Sequence, residues 1–227
     1  VPPVHIRDNL DLKPNQYRIM LMGVSSGEGE VFPDKELAIN PGQVFGEVRG
    51  VATKDPTFGL DAVWISPSDR EQAQALGYTV VDASTVVATH ISQVIQDYAS
   101  ELLGHDEAQK LLDKLKDTSP KLVDELVPER MSLAIVVKVL QNLLTEKVSI
   151  RDLRTILEAL TEKASTTQDP AQLTQHVRAA LGRSIVQAIA GTDDELKVIT
   201  LEPGLEQLLL QASQGAPEGQ LAIEPGL

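Results

Sequence analysis

Near Ser84 the spacing of apolar residues changes from that of strands to that of helices, which restricts the chain to mixed α/β architectures. Before that point, Tyr17 to Met22 (YRIMLM), Leu37 to Ile39, Ala62 to Ile65 (AVWI) and Tyr78 to Val81 (YTVV) carry the β-branched or aromatic content of short strands. Between the last two, Ser66 and Pro67 suit the N-cap and first position of a helix, and Gly77 suits the left-handed residue that ends one. This predicts a strand–helix–strand unit. Gly23 to Gly29, GVSSGEG, reads as a solvated turn.

After Ser84, the residues Val87, Ile91, Val94, Tyr98 and Leu102 recur at helical steps and predict one amphipathic helix ending near Gly104. Shorter helices follow. Asp106 is placed to cap DEAQKLLDKL, Pro120 to open KLVDELV, Ser132 to precede LAIVVKVLQNLL and Ser149 to precede IRDLRTILEAL. Asp169 and Pro170 begin a single predicted helix through AQLTQHVRAALGRSIVQAIA. Beyond Gly191, a strand LKVITL and a helix LEQLLLQA suggest a new α/β unit. The fold class is therefore α/β with several subdomains.

Charge and residue usage exclude several functions. A formal charge of −13, with acid and base spread along the chain, describes an acidic surface. Nucleic acid and anionic membranes need a clustered basic face that releases counterions. The lack of Cys removes disulfide scaffolds, thiolate metal sites and cysteine nucleophiles, and fits a reducing compartment. The most apolar stretch, LAIVVKVLQNLL, carries Lys138 and is far short of the roughly 20 residues of a membrane span.

Catalytic signatures are missing as well. His5, His90, His105 and His176 lie far apart with no HExxH pair, so no metal site is expected, and His90 reads as a packed or surface residue. GVSSGEGE lacks the GK[ST] ending of a phosphate loop, and its glutamates would repel phosphate. GQVFGEVRG, from Gly42 to Gly50, lacks the strand–loop–helix setting of a dinucleotide fingerprint. Asp193 and Asp194 read as loop acids, and GRS at Gly182 to Ser184 is not a nucleophile elbow. No catalytic residue and no cofactor is expected. In the cluster Arg151, Asp152 and Arg154, Asp152 suits the positive end of a helix and Arg154 can pair with Glu158 one turn on. The alternative for those arginines is an intersubunit contact.

Apolar residues also stand where secondary structure does not require them. LAINPG puts Ile39 and Pro41 at a strand end, and KDPTFGL places Phe58 in a loop beside Asp55 and Pro56. Phe58 either plugs the core of a small subdomain or serves as an anchor in a concave pocket for a partner's side chain.

GYTVVDASTVVATH (Gly77 to His90), VLQNLLTEKVSIRDLRTILEAL (Val139 to Leu160), HIRDN (His5 to Asn9), ALGR (Ala180 to Arg183) and LEPGLEQLLLQA (Leu201 to Ala212) occur in one order. Together they resemble the cytosolic domain of the FlhA family, the large export-gate proteins of bacterial flagellar type III secretion. The resemblance implies a non-enzymatic docking platform of an inner-membrane export gate, with its cytosolic domains in a nonameric ring. Its expected partners are flagellar export chaperones carrying their substrates and other export-apparatus proteins. It implies an α/β first subdomain at 1–33 and 83–102, an inserted ferredoxin-like subdomain at 34–82, a helical subdomain at 103–182 and the start of a fourth α/β subdomain at 183–227. The absence of an initiator Met at Val1, and the Pro/Gly-containing close at Leu227, lead us to expect a fragment, incomplete in its first and last subdomains.

Matching motifs residue by residue implies a chaperone-binding dimple made of Ile39, Pro41, Asp55, Phe58, Leu60, Val81, Val86 and Thr89. Its shape would depend on a hinge near Asp34 and near Asp82 to Ser84. AINPG and DPTFGL favour the flagellar branch over the injectisome counterpart. Outside the family, the alternatives are an enzyme with an acidic cleft and an RNA-binding ferredoxin-like module. The latter lacks a basic stripe and paired strand aromatics.

Overall fold

The computed structural model describes residues 4–191 and 198–214, in two compact units that divide between Leu181 and Gly182. The first unit begins with an antiparallel hairpin, β1 (Gln16–Leu21) and β2 (Val24–Glu30), in a register running from Gln16 opposite Glu30 to Leu21 opposite Val24. The stretch expected to be a solvated turn is thus mostly a strand. Only Met22 and Gly23 turn the chain, with φ of 50° and 85°, the pair of positive values that a tight two-residue hairpin loop requires. The glycines that suggested a turn are instead sites of close approach. A Cβ on Gly27 would lie 2.8 Å from His90 Nε2, and one on Gly29 would lie 2.7 Å from the Tyr17 hydroxyl oxygen.

Four further strands, β3 (Glu36–Ile39), β4 (Val51–Lys54), β5 (Asp61–Ile65) and β6 (Thr79–Asp82), form an antiparallel sheet in the order β4-β5-β3-β6. β4 is invisible in the pattern because it is a short edge strand with three of its four residues exposed. One face of the sheet gathers Leu37, Ala62 and Trp64 around Val86, with the Phe32 ring edge-on to Trp64 at 5.6 Å. The other gathers Ala38, Ile65 and Val80 around Ala73. Ala73 belongs to α1 (Arg70–Ala75), which a 3-10 turn at Pro67–Asp69 introduces. Ser66 precedes that turn but makes no side-chain cap, whereas Gly77 takes the expected left-handed conformation at φ 94°.

Asp82 ends β6 and caps α2 (Ala83–Asp97), its carboxylate accepting from the Thr85 amide at 2.9 Å and the Thr85 hydroxyl at 2.8 Å. The buried stripe of α2 is Val86, His90 and Val94; Val87 and Ile91 are only partly covered. The expected continuous helix also breaks at Tyr98 before α3 (Ala99–Leu102). α4 (His105–Lys116) starts one residue before the expected cap. Glu107 accepts from the Gly104 amide at 3.2 Å, and Asp106 lies within the helix.

α5 (Pro120–Leu126) and α6 (Leu133–Thr145) begin as their Pro and Ser signals predict. α7 (Leu153–Lys163) begins later than Ser149 suggests, because Asp152 is the residue whose carboxylate accepts the Thr155 amide, at 3.2 Å. Arg154 pairs with Glu158 at 2.9 Å, the intramolecular alternative for that arginine. α8 (Pro170–Ala180) is capped by Asp169 and stops at Leu181, so the long helix expected here is two. α6 packs on α3, α4 and α8, and α7 packs on α5 and α8. Leu140, Leu143, Ile156, Leu157, Leu160 and Leu173 fill the space between them and are fully buried. Each such side chain contributes about 1.5–3 kcal/mol, so this layer is a scaffold with a large apolar core.

The second unit contains α9 (Gly182–Ala190) and α10 (Pro203–Gln214), the latter on the predicted LEQLLLQA segment. Within the expected strand LKVITL, Val198 to Leu201 form no strand. Leu196 and Lys197, like Asp193 and Asp194, lie outside the described residues. Among the described residues, no helix is long and apolar enough to cross a membrane, and no group of His, Asp and Glu side chains could hold a metal ion.

Candidate docking site

The β4–β5 loop is built around one carboxylate. Asp55 is 4% exposed, and its Oδ2 accepts from the Phe58 amide at 2.6 Å and the Thr57 amide at 3.2 Å. The backbone closes the same turn: the Asp55 amide donates to the Leu60 carbonyl at 2.8 Å, and the Gly59 amide to the Asp55 carbonyl at 2.9 Å. Gly59 sits at φ 69°, where a side chain would be strained. The result is a rigid loop carrying apolar side chains outward, with Phe58 63% exposed and Leu60 39% exposed. Of the two alternatives for Phe58, the core plug is excluded.

The neighbouring sheet supplies the other apolar members. Ile39 and Val81 flank the cluster of Leu37, Ala62, Trp64 and Val86, so Ile39, Val81 and Val86 share one packed patch. Ile39 stands opposite Ala62, and the Asn40 amide donates to the Asp61 carbonyl at 2.9 Å, which brings the end of β3 beside Leu60 in the chain. Pro41 follows and is exposed. Thr89 is half-buried on α2, one turn beyond Val86. The predicted residues thus divide into packed and outward-facing residues, with Asp55 bracing the loop from within.

One long-range contact escaped the sequence reading. Tyr17, from β1, brings its hydroxyl to 2.7 Å from His90 Nδ1, and the rings meet edge to face at 5.7 Å. Burial, and secondarily the Asp55 carboxylate, push the Tyr17 phenol up to about 12. Burial also lowers His90 from its ordinary value, and Asp55 opposes part of that shift. At the crossing into α2, the Ser84 hydroxyl and the Thr85 amide hold the Asp82 carboxyl well below the usual carboxylate range. Seventy-three positions separate Tyr17 from His90, and no local pattern links them.

The pattern of the FHIPEP family matches this chain over residues 1–227. The chain belongs to that family. It is a family of secretion export-gate proteins and not of enzymes. "Flagellar biosynthesis protein FlhA" of Proteus mirabilis is 53% identical over 226 residues, covering 100% of this chain and 32% of the relative. The Bacillus subtilis (strain 168) protein of the same name is 40% identical, again over 100% of this chain and 34% of its own length. The chain thus spans about a third of the curated relatives it matches. Among solved structures, the Chlamydia pneumoniae CdsV in complex with CdsO superposes with TM-score 0.79 at 26% identity, over 99% of this chain and 65% of that one. The nonameric EPEC SctV-C gives 0.66 at 25% identity, over 93% and 64%. The mixed α/β architecture is shared with these structures and with the nonameric EscV cytosolic domain from the type III secretion system.

Proposed function

We propose that this chain is the docking part of a flagellar protein-export gate. It receives export chaperones loaded with substrate at the patch formed by Ile39, Pro41, Phe58, Leu60, Val81, Val86 and Thr89, and orders their delivery to a membrane channel. The observation that carries this reading is the braced β4–β5 loop, which holds an aromatic side chain 63% exposed. A solvent-facing Phe on a loop fixed by four hydrogen bonds is preorganised, so docking need not order the loop.

The flagellar assignment is supported by 53% identity to a flagellar relative, against 26% to the Chlamydia CdsV. The subdomains at 1–33 with 83–102, 34–82, 103–182 and 183–227 are part of this proposal. The order β4-β5-β3-β6 supports a ferredoxin-like insert at 34–82, with a loop in place of its first crossover helix. Ring assembly is supported by the nonameric EPEC relative, and contact with further export components by the CdsV–CdsO complex. The site faces the cytosol below an inner-membrane gate. Asp82, shared by β6 and α2, is an element-terminal residue of the kind that carries hinge rotation.

The test is calorimetric titration of the chain with purified flagellar chaperone–substrate complexes. Saturable binding that weakens in Phe58→Ala supports the reading, and the same affinity in a folded Phe58→Ala protein removes the site.

A further inference from the structure

The segment GQVFGEVRG, which is no dinucleotide fingerprint, displays a second aromatic side chain. Phe45 is 84% exposed, yet its backbone is fixed. The Phe45 amide donates to the Leu76 carbonyl at 2.8 Å, and the Tyr78 hydroxyl donates to the Gly46 carbonyl at 3.2 Å. The ring lies over Gly77, where a Cβ would come 3.7 Å from Phe45 Cδ2. Upstream, the Asn40 amide donates to the Asp61 carbonyl at 2.9 Å, and the Gly42 amide to the Asn40 side-chain oxygen at 2.8 Å. The loop is therefore tied to β5 at its start and to the turn before β6 at Phe45. As at Phe58, the amide of the displayed residue is itself hydrogen-bonded.

Strand register puts Phe45 and Phe58 at one end of the four-stranded sheet. Ile39, the last residue of β3, stands opposite Ala62 of β5 and opposite Thr79, the first residue of β6. Lys54, the last residue of β4, stands opposite Asp61, the first of β5. The β4–β5 loop, Pro41 and the turn from Leu76 to Tyr78 therefore share that end. From the β4–β5 loop to β6 is two to three strand spacings, about 10–15 Å. Pro41, Gly42 and Gln43, exposed and uncharged, lie along the chain between them. The sequence has three phenylalanines, and two of them are turned outward at this one end.

We propose that Phe45 is a second anchor of the docking surface, and that one export chaperone covers the sheet end from Phe58 across Pro41 to Phe45 with an apolar, uncharged face. This inference rests on the docking function proposed above and extends its footprint. Area is the first argument. A fully buried aromatic covers only about 150–250 Å², and a stable interface takes about 800 Å² from each partner. Phe58, Leu60 and Pro41 are too few to supply that, so a chaperone seated on them must also cover adjoining surface. Continuity is the second. The surface leading away from Pro41 carries no charge until Glu47, so an apolar partner face meets no unpaired ion before it reaches Phe45. Preorganisation is the third, because a fixed aromatic loses little freedom when it is covered.

Fluorine nuclear magnetic resonance tests this, because fluorophenylalanine labelling of the chain gives three ring signals, assigned with Phe45→Tyr and Phe58→Tyr. The chain is titrated with a purified flagellar export chaperone carrying its substrate. The expected result is that the Phe45 and Phe58 signals respond together and saturate at one chaperone concentration. Calorimetry should show about tenfold weaker binding in Phe45→Ala, with the circular dichroism of the parent. A Phe58 response with Phe45 unmoved, or parent-like affinity in folded Phe45→Ala, overturns the second anchor and leaves the docking function standing. A Phe45 response without Phe58 overturns the shared surface. No response of either ring and no binding remove the docking function together with this extension. A Phe45 signal that moves with chain concentration alone shows that a second copy covers it, which overturns the chaperone as its occupant. Where Phe45→Ala does not fold, the ring titration of the parent decides by itself.

Discussion

The carboxylate of Asp55 accepts the amide of Phe58 at 2.6 Å, so a residue that is 4% exposed holds in place one that is 63% exposed. Burial and display are coupled over three positions of chain. Phe58→Ala should therefore weaken chaperone docking by about 1–3 kcal/mol, the range for truncating an interface anchor. It should leave the unfolding midpoint nearly unchanged, because exposed substitutions usually stay within about 0.5 kcal/mol. Asp55→Ala should weaken docking and lower stability together, since it strands two amides in the loop. Calorimetry paired with denaturant unfolding separates the two behaviours.

Gly50 precedes β4, where an added Cβ would fall 2.2 Å from the Trp64 carbonyl oxygen and 2.7 Å from Val63 Cγ1. A backbone oxygen cannot swing aside as a side-chain tip can. Gly50→Ala should displace β4 and destabilise the first unit by about 1–3 kcal/mol or more, the range for overpacking. Urea unfolding followed by Trp64 fluorescence reports it directly, because the chain has one Trp. A parent-like midpoint would show that β4 can shift freely.

Leu157 is fully buried in α7. Leu157→Ala should cost about 2–5 kcal/mol in chemical unfolding, the range for core Leu truncation. Chaperone affinity at temperatures where the variant is folded should be unaltered, since Leu157 is a core residue of the helical layer. A large affinity change in the folded variant would show that the helical layer shapes the docking patch.

Stability should fall at both ends of the pH range through one pair of residues. His90 is lowered in the folded state, so the unfolded chain takes up its proton first. That contribution is intact above about pH 6.5 and is lost as the pH falls below it toward the folded value. Tyr17 is raised to about 12, so its contribution is present below about pH 10 and is lost between about pH 10 and that value. Unfolding free energy measured against pH should flatten on the acid limb in His90→Gln and on the alkaline limb in Tyr17→Phe. Unchanged limbs would remove the pair from the pH dependence.

Local chemistry made much of the fold legible. Pro120, Ser132, Asp169 and Pro170 mark helix starts because caps and Pro act on neighbouring backbone groups, and Gly77 takes its left-handed conformation where the helix pattern ends. The strands β3, β5 and β6 were visible because both sheet faces are covered and their side chains are apolar. The same locality explains the misses. Either Ser149 or Asp152 could cap α7 on residue type alone, and which one does so depends on where packing begins the helix.

Sequence by itself determined the α/β class, most helix starts, the absence of catalytic signatures and, through its motifs, the family. Tertiary structure decided what contacts across long separations create. It turned GVSSGEG from a turn into β2, because two glycines are needed where His90 and Tyr17 approach the strand. It added β4, whose pairing with β5 is specified by its partner rather than by its own four residues. It left Phe58 exposed and buried Asp55 instead, so Phe58 is no core plug. Apolar residue type records that a side chain gains by leaving water, and only the packed chain decides whether its own core or a partner provides the cover.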